Sequence, residues 1–101
     1  MTSRNIIIGD FVWDENKEVI NVRKHGVTFM EAKTVFDDVN AVYIPDDEHS
    51  QEEERFIVLG ESQTQKLLVV CYCERKNGKT RIFSARKAEK KEKNYYVGEQ
   101  L

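Results

Sequence analysis

Residues 55–85, RFIVLGESQTQKLLVVCYCERKNGKTRIFSA, decide the fold. Three apolar, β-branched runs stand in this stretch: RFIVLGE (55–61), KLLVVCYCER (66–75) and TRIFSA (80–85). Only the short connections SQTQ and KNGK separate them. Such runs favour extended backbone, and the Asn77-Gly78 pair accepts the positive φ of a tight two-residue turn. An antiparallel meander is the expected result. Upstream, AVYIP (41–45) reads as a short strand ending at the only proline, which cannot donate to a ladder and so belongs at an edge. NIIIGDFVW (5–13) reads as a first strand, bent at its glycine.

Two short helices are expected between these strands. Asp14 is an N-cap, Val19, Ile20 and Val22 follow at helical spacing, and Gly26 suits the left-handed residue that ends the helix, letting Val27 pack back on Val22. Thr28-Phe29-Met30-Glu31 has the pattern of a capping box, and Phe29, Ala32, Val35 and Phe36 form a stripe that faces a core. RKAEKKEKNYY (86–96) reads as a basic terminal helix. The order β-αα-ββββ-α implies an α+β fold, helices on a mostly antiparallel sheet. Residues 1–101 make one domain's length, able to bury roughly two-thirds of the surface of the unfolded chain.

Hydrophobic residues make up 40% of the chain and charged ones 34%, a globular composition with a heavily charged surface. No apolar run approaches the ~20 residues that span a bilayer, and the N-terminus lacks a secretory apolar region. Cys71 and Cys73, two apart on a strand, face the same way, a poor geometry for a mutual disulfide; they point to a reducing cytoplasm. The net charge of −2 argues at first against a polyanionic partner. Its distribution argues otherwise. Residues 75–93 carry nine Lys or Arg against two Glu, a local +7 that leaves −9 elsewhere, and DDEHSQEEE (46–54) holds six acids. A solvated helix face and an acidic loop explain this pattern without function; contact with nucleic acid or an oppositely charged partner explains it with one.

Alternation in the last strand sets Arg81, Phe83 and Ala85 on one face and Ile82, Ser84 and Arg86 on the other. A sheet face carrying cations, a hydroxyl and an aromatic ring such as Tyr72 can hold a phosphodiester and stack a base. His25, in a helix's last turn, is either a cap on carbonyls or a general acid or base, with Lys24 adding charge beside it. His49 sits within the acidic loop. Glu54-Arg55 is either a surface ion pair or a phosphate clamp oriented by Glu54, and Arg81 and Arg86 have the same two readings. Zinc-ligand clusters, phosphate-binding glycine loops, a nucleophile elbow and EF-hand spacing are all missing, so neither metal nor cofactor is expected.

FVWDENKEVINVRKHGVTFMEAKTVFDD (11–38) resembles the opening signature of the BrnT toxins: an F-x-W-D start, a K-H-G-V-x-F centre and an E-A-x-x-V-F-x-D close. EERFIVLGES (53–62), LLVVCYCER (67–75) and RIFSARKAEKKEKNYY (81–96) resemble the remaining blocks in order. The longer hydrophobic start, MTSRNIII, and the acid-rich 46–54 loop depart from the pattern. The resemblance implies a RelE-like ribonuclease toxin of a type II toxin–antitoxin pair, inhibiting translation and growth. It also implies neutralisation by a BrnA-like ribbon-helix-helix antitoxin in a heterotetramer that reaches promoter DNA only through the antitoxin. By motif position the family's functional polar residues fall on Lys24, His25, Glu54, Arg55, Arg75, Arg81, Ser84 and Arg86. The expected catalytic set is His25, Glu54, Arg55, Arg81, Ser84 and Arg86, and the expected RNA-binding set is Lys24 and Arg75 with Tyr72 and Lys87. The expected chemistry is metal-free attack by the RNA's own 2′-hydroxyl. His25 or Glu54 would serve as base or acid, Arg55, Arg81 and Arg86 as the clamp, and Ser84 and Tyr72 as orienting or stacking groups. The rival reading is a non-catalytic module that binds nucleic acid or an acidic partner through the basic strand and helix.

Overall fold

Gly9, at φ +57°, turns the chain through a two-residue link, so the expected single bent strand is instead a hairpin. β1 (Asn5–Ile8) runs antiparallel to β2 (Phe11–Asp14). The computed structural model describes residues 3–100 and continues through α1 (Glu15–His25), α2 (Phe29–Ala32) with a 3-10 extension (Lys33–Asp37), β3 (Val42–Pro45) and a 3-10 turn (Asp47–His49). β4 (Phe56–Glu61), β5 (Leu67–Glu74), β6 (Thr80–Lys87) and α3 (Lys90–Glu99) complete it. One sheet runs β1-β2-β6-β5-β4-β3, with β2–β6 parallel and every other pair antiparallel. The fold is α+β. Arg86 and Lys87, expected in the terminal helix, belong to β6, where the ladder pairs them with Val69 and Leu68.

The caps follow local chemistry. Asp14 accepts the Lys17 N–H at 3.0 Å, and Gly26, at φ +69°, ends α1 by donating its N–H to the Val22 carbonyl. Thr28 accepts the Glu31 N–H at 3.1 Å. The return arm of that capping box is not made: the Glu31 carboxylate takes the hydroxyls of Ser62 and Thr64, tying α2 to the β4–β5 turn.

α1 lies inside out relative to its hydrophobic spacing. Val19, Ile20 and Val22 are exposed, and the buried residue is Asn21. The cause is non-local. β2 pairs with β6 only at Phe11–Thr80 and Val12–Arg81 before the chain turns into α1, leaving the rest of β6 without a neighbouring strand on that side. Asn21 fills the gap: its amide donates to the Ala85 carbonyl (2.8 Å) and the Val27 carbonyl (2.9 Å), and its oxygen accepts the Ala85 N–H (3.0 Å). A side chain thus completes a strand ladder.

Both sheet faces carry apolar residues. Trp13, Val27, Phe29, Ala32 and Val35 pack against Val58, Leu68, Val70, Ile82 and Ala85 on one face. On the other, α3 lays Tyr96 near Leu59, Val69 and Ala88. Beside that smaller cluster the second face opens into clefts. No helix among the described residues is long and apolar enough to cross a membrane.

Candidate nucleic-acid interface and catalytic cleft

The register of β6 against β5 slips between Tyr72–Ile82 and Cys71–Ser84, leaving Phe83 as an extra residue, a β-bulge. Its consequence is a change of side. Ile82 and Ala85, three apart instead of two, both enter the core beneath α1 and α2. Phe83, Ser84 and Arg86 all line a cleft of about 530 Å³ on the opposite face. Strict alternation, which separates Phe83 from Ser84 and Arg86, is corrected at this point.

α1 supplies the cleft's other wall. Docked edge-on by Asn21, it brings Lys17 and His25, each four residues from Asn21, over the same opening. Arg55 enters just before β4, its guanidinium carbon 3.9 Å from the centre of the Phe83 ring, with Lys17 Nζ 5.9 Å from that centre. Arg86 is held from α3 by two bonds to Glu92, at 2.8 and 2.6 Å. That pairing raises the Arg86 pKa and, with the Arg86 bond as its main cause, holds Glu92 below the usual carboxylate range. Glu92 thereby fixes the guanidinium and occupies its Nη1/Nη2 fork, so a phosphate would meet only the donors that Glu92 does not use. Cys71 lies in the cleft floor. Burial, reinforced by the nearby Asp46 carboxylate, pushes its thiol up to about 11, so it is no nucleophile at neutral pH.

The expected residues divide into groups. His25, Arg55, Ser84 and Arg86 share the cleft. Arg75 and Arg81 line a second one of about 660 Å³, with Lys76, Lys79 and, from β1, Asn5 and Ile7. Arg81 donates to the Asn5 side chain at 3.0 Å. Glu53 joins the two clefts, 3.0 Å from Arg75 and 4.0 Å from Arg55. Lys24 is exposed at the end of α1, and Glu54 is exposed and lines neither cleft; Glu53 is the acid that faces the arginines. Lys87 pairs with Leu68, a core residue of the α1–α2 face, and its charge acts on Glu31 there. Tyr72, expected to stack a base, is 6% exposed beneath the same helices, its ring 5.0 Å from Phe36 and 5.7 Å from Phe56.

Sequence reasoning missed Lys17, Phe83 and the Asp46–His49 pair. The bulge re-aims Phe83, and a fold in three dimensions brings a loop histidine to the cleft; neither leaves a local signal. Among the described residues, no three His, Cys, Asp or Glu side chains cluster as a metal site.

The arrangement defines a class by its fold and charge: a small α+β domain whose open sheet face sets Lys17, Arg55 and Arg86 in one cleft with two histidines. Over residues 13–92 the chain matches the family described as the ribonuclease toxin, BrnT, of type II toxin–antitoxin systems. It belongs to that family, and an antitoxin is therefore its partner. The fold is similar to the crystal structure of the Brucella abortus ribonuclease toxin, BrnT, with a TM-score of 0.60 and 22% identity, covering 77% of this chain and 94% of that one. Comparison with curated proteins gives no match. β1 and its turn precede the matched residues.

Proposed function

We propose that this chain is a metal-independent endoribonuclease, acting as one domain in the cytoplasm and restrained by a ribbon-helix-helix antitoxin in a heterotetramer. Promoter DNA is reached through the antitoxin alone. The observation that carries the reading is the convergence of His25, Arg55, Ser84 and Arg86 in one cleft of a BrnT-family chain. RNA contains its own nucleophile, so the protein must supply only proton transfer and charge stabilisation. His25 takes the proton of the attacking 2′-hydroxyl. Arg55 and Arg86 hold the two free oxygens of the phosphorane, and Ser84 orients the scissile phosphate. Arg75 and Arg81, in the adjoining cleft, hold a neighbouring phosphate, with Lys24 adding positive charge at the rim. Glu54, Tyr72 and Lys87 have no place in this scheme, because their positions lie away from the cleft.

Purified protein incubated with RNA in EDTA tests the reading. The expected outcome is cleavage to fragments ending in 2′,3′-cyclic phosphate, slowed about 10²–10⁴-fold in His25→Ala. A mobility shift without cleavage would replace it with the non-catalytic module.

A further inference from the structure

The sequence contains two histidines, and the fold brings both to one cleft. His25 arrives at the end of α1, His49 from the 3-10 turn that follows β3. The His49 ring is anchored: its Nδ1 lies 2.9 and 3.1 Å from the two carboxylate oxygens of Asp46. Asp46 is itself fixed. It is 8% exposed, its N–H donates to the Arg55 carbonyl at 2.8 Å, and its carbonyl accepts the Ser50 hydroxyl at 2.7 Å. A carboxylate only accepts, so Nδ1 carries the hydrogen of this pair; Asp46 does not engage Nε2, and the ring lines the cleft. A buried carboxylate holding one imidazole nitrogen while the other faces a reaction site is how a histidine is set for proton transfer.

From this geometry we infer that His49 is the second proton-transfer residue of the reaction proposed above, the general acid for the 5′-oxygen, with Asp46 as its positioning residue. The inference rests on the ribonuclease reading. The step balances. The 2′-oxygen forms a bond to phosphorus and gives its proton to His25; the bond from phosphorus to the 5′-oxygen breaks, and that oxygen takes the proton from His49 Nε2. The products are a 2′,3′-cyclic phosphate and a 5′-hydroxyl, and exchange with water resets both rings. Lys17, Arg55 and Arg86 line the same cleft, and the Asp46 carboxylate holds the ring from the other side. Glu48, Glu52 and Glu53 line a smaller hollow that His49 shares.

An oligoribonucleotide with sulfur in place of the bridging 5′-oxygen, at the site first mapped with ordinary RNA, separates the two roles. A thiolate leaves without an acid. His49→Ala is expected to cut ordinary RNA about 10²–10⁴-fold more slowly than the parent, yet to come within about tenfold of it on the sulfur substrate. His25→Ala should remain slow on both. Asp46→Asn should lower kcat with KM unchanged and move the alkaline limb of the pH–rate profile. The His49 side chain is 60% exposed, but its removal takes a partner from the buried Asp46 carboxylate, so the Tm should fall modestly and rates are compared well below it. A His49→Ala variant that cuts ordinary RNA at the parental rate, or is equally slow on both substrates, overturns the assignment. A parent protein that cleaves neither substrate overturns the ribonuclease reading itself.

Discussion

Asn21 does the most of any single side chain to place the cleft. Two of its three hydrogen bonds close the edge of β6 at Ala85, the third holds the Val27 carbonyl, and together they fix the line along which Lys17 and His25 approach the sheet. Replacing it with alanine leaves the buried Ala85 N–H and carbonyl without partners, at about 1–3 kcal/mol for each group left unsatisfied. Asn21→Ala should therefore lose about 3 kcal/mol in urea unfolding. A loss within the ±0.5 kcal/mol typical of surface substitutions would show that water or a shift of α1 satisfies the edge instead. Phe83 matters by position. As the extra residue of the bulge it shifts Ser84 and Arg86 to the cleft side, and its ring seats the Arg55 guanidinium.

At the scale of elements, α3 is tied to the body by carboxylates. Arg86 grips Glu92, and Tyr96 donates its hydroxyl to Asp38 at 2.6 Å. Both acids titrate below their usual range. The Arg86 bond is the main cause for Glu92; for Asp38, burial acts upward but is outweighed by hydrogen bonds from the Glu61 N–H, the Tyr96 hydroxyl and the Asn40 N–H. Burial and the Asp38 bond push Tyr96 up to about 12. A carboxylate with a lowered folded-state pKa adds stability that is complete above the unfolded value, near pH 4, and is lost as pH falls through the folded one. The Tm should thus drop as the protein is acidified from about pH 6 to about pH 3, and less steeply in Glu92→Gln/Asp38→Asn, which starts lower. Equal slopes would mean that other carboxylates set the acid limit. Because Glu92 also positions Arg86, α3 is part of the cleft's architecture as well as a cover for Leu59 and Val69.

Over the whole molecule, charge is sorted more than it is summed. The net −2 conceals a +7 segment that supplies Arg75, Lys76, Lys79, Arg81 and Arg86 to the two clefts. Single-stranded RNA releases condensed counterions as its phosphates are neutralised, so its affinity falls with salt by about 0.7 logarithmic unit per phosphate held. Lys76→Ala/Arg81→Ala, confined to the second cleft, should raise KM several-fold, leave kcat unchanged and flatten the dependence of log KM on log salt by about one unit. An unchanged slope would mean that this cleft does not meet the backbone. β1 contributes Asn5 and Ile7 to that cleft from outside the matched family region.

The amino-acid sequence alone determined the meander, the Asp14, Gly26 and Thr28 caps, the edge position of the proline and the family, because each depends on neighbours within a few residues or on an ordered set of motifs. It also placed His25, Arg55, Ser84 and Arg86 among the functional candidates. Tertiary structure decided the rest. Only pairing with β5 reveals the bulge that puts Phe83, Ser84 and Arg86 on one side. Only the unpaired edge of β6 explains why α1 buries an asparagine and exposes its valines. Only the folded path of the acidic loop brings His49 to the cleft that holds His25. Hydrophobic periodicity reports which side of an element avoids water, whereas a site is set by which backbone groups remain unpaired and which distant side chains satisfy them.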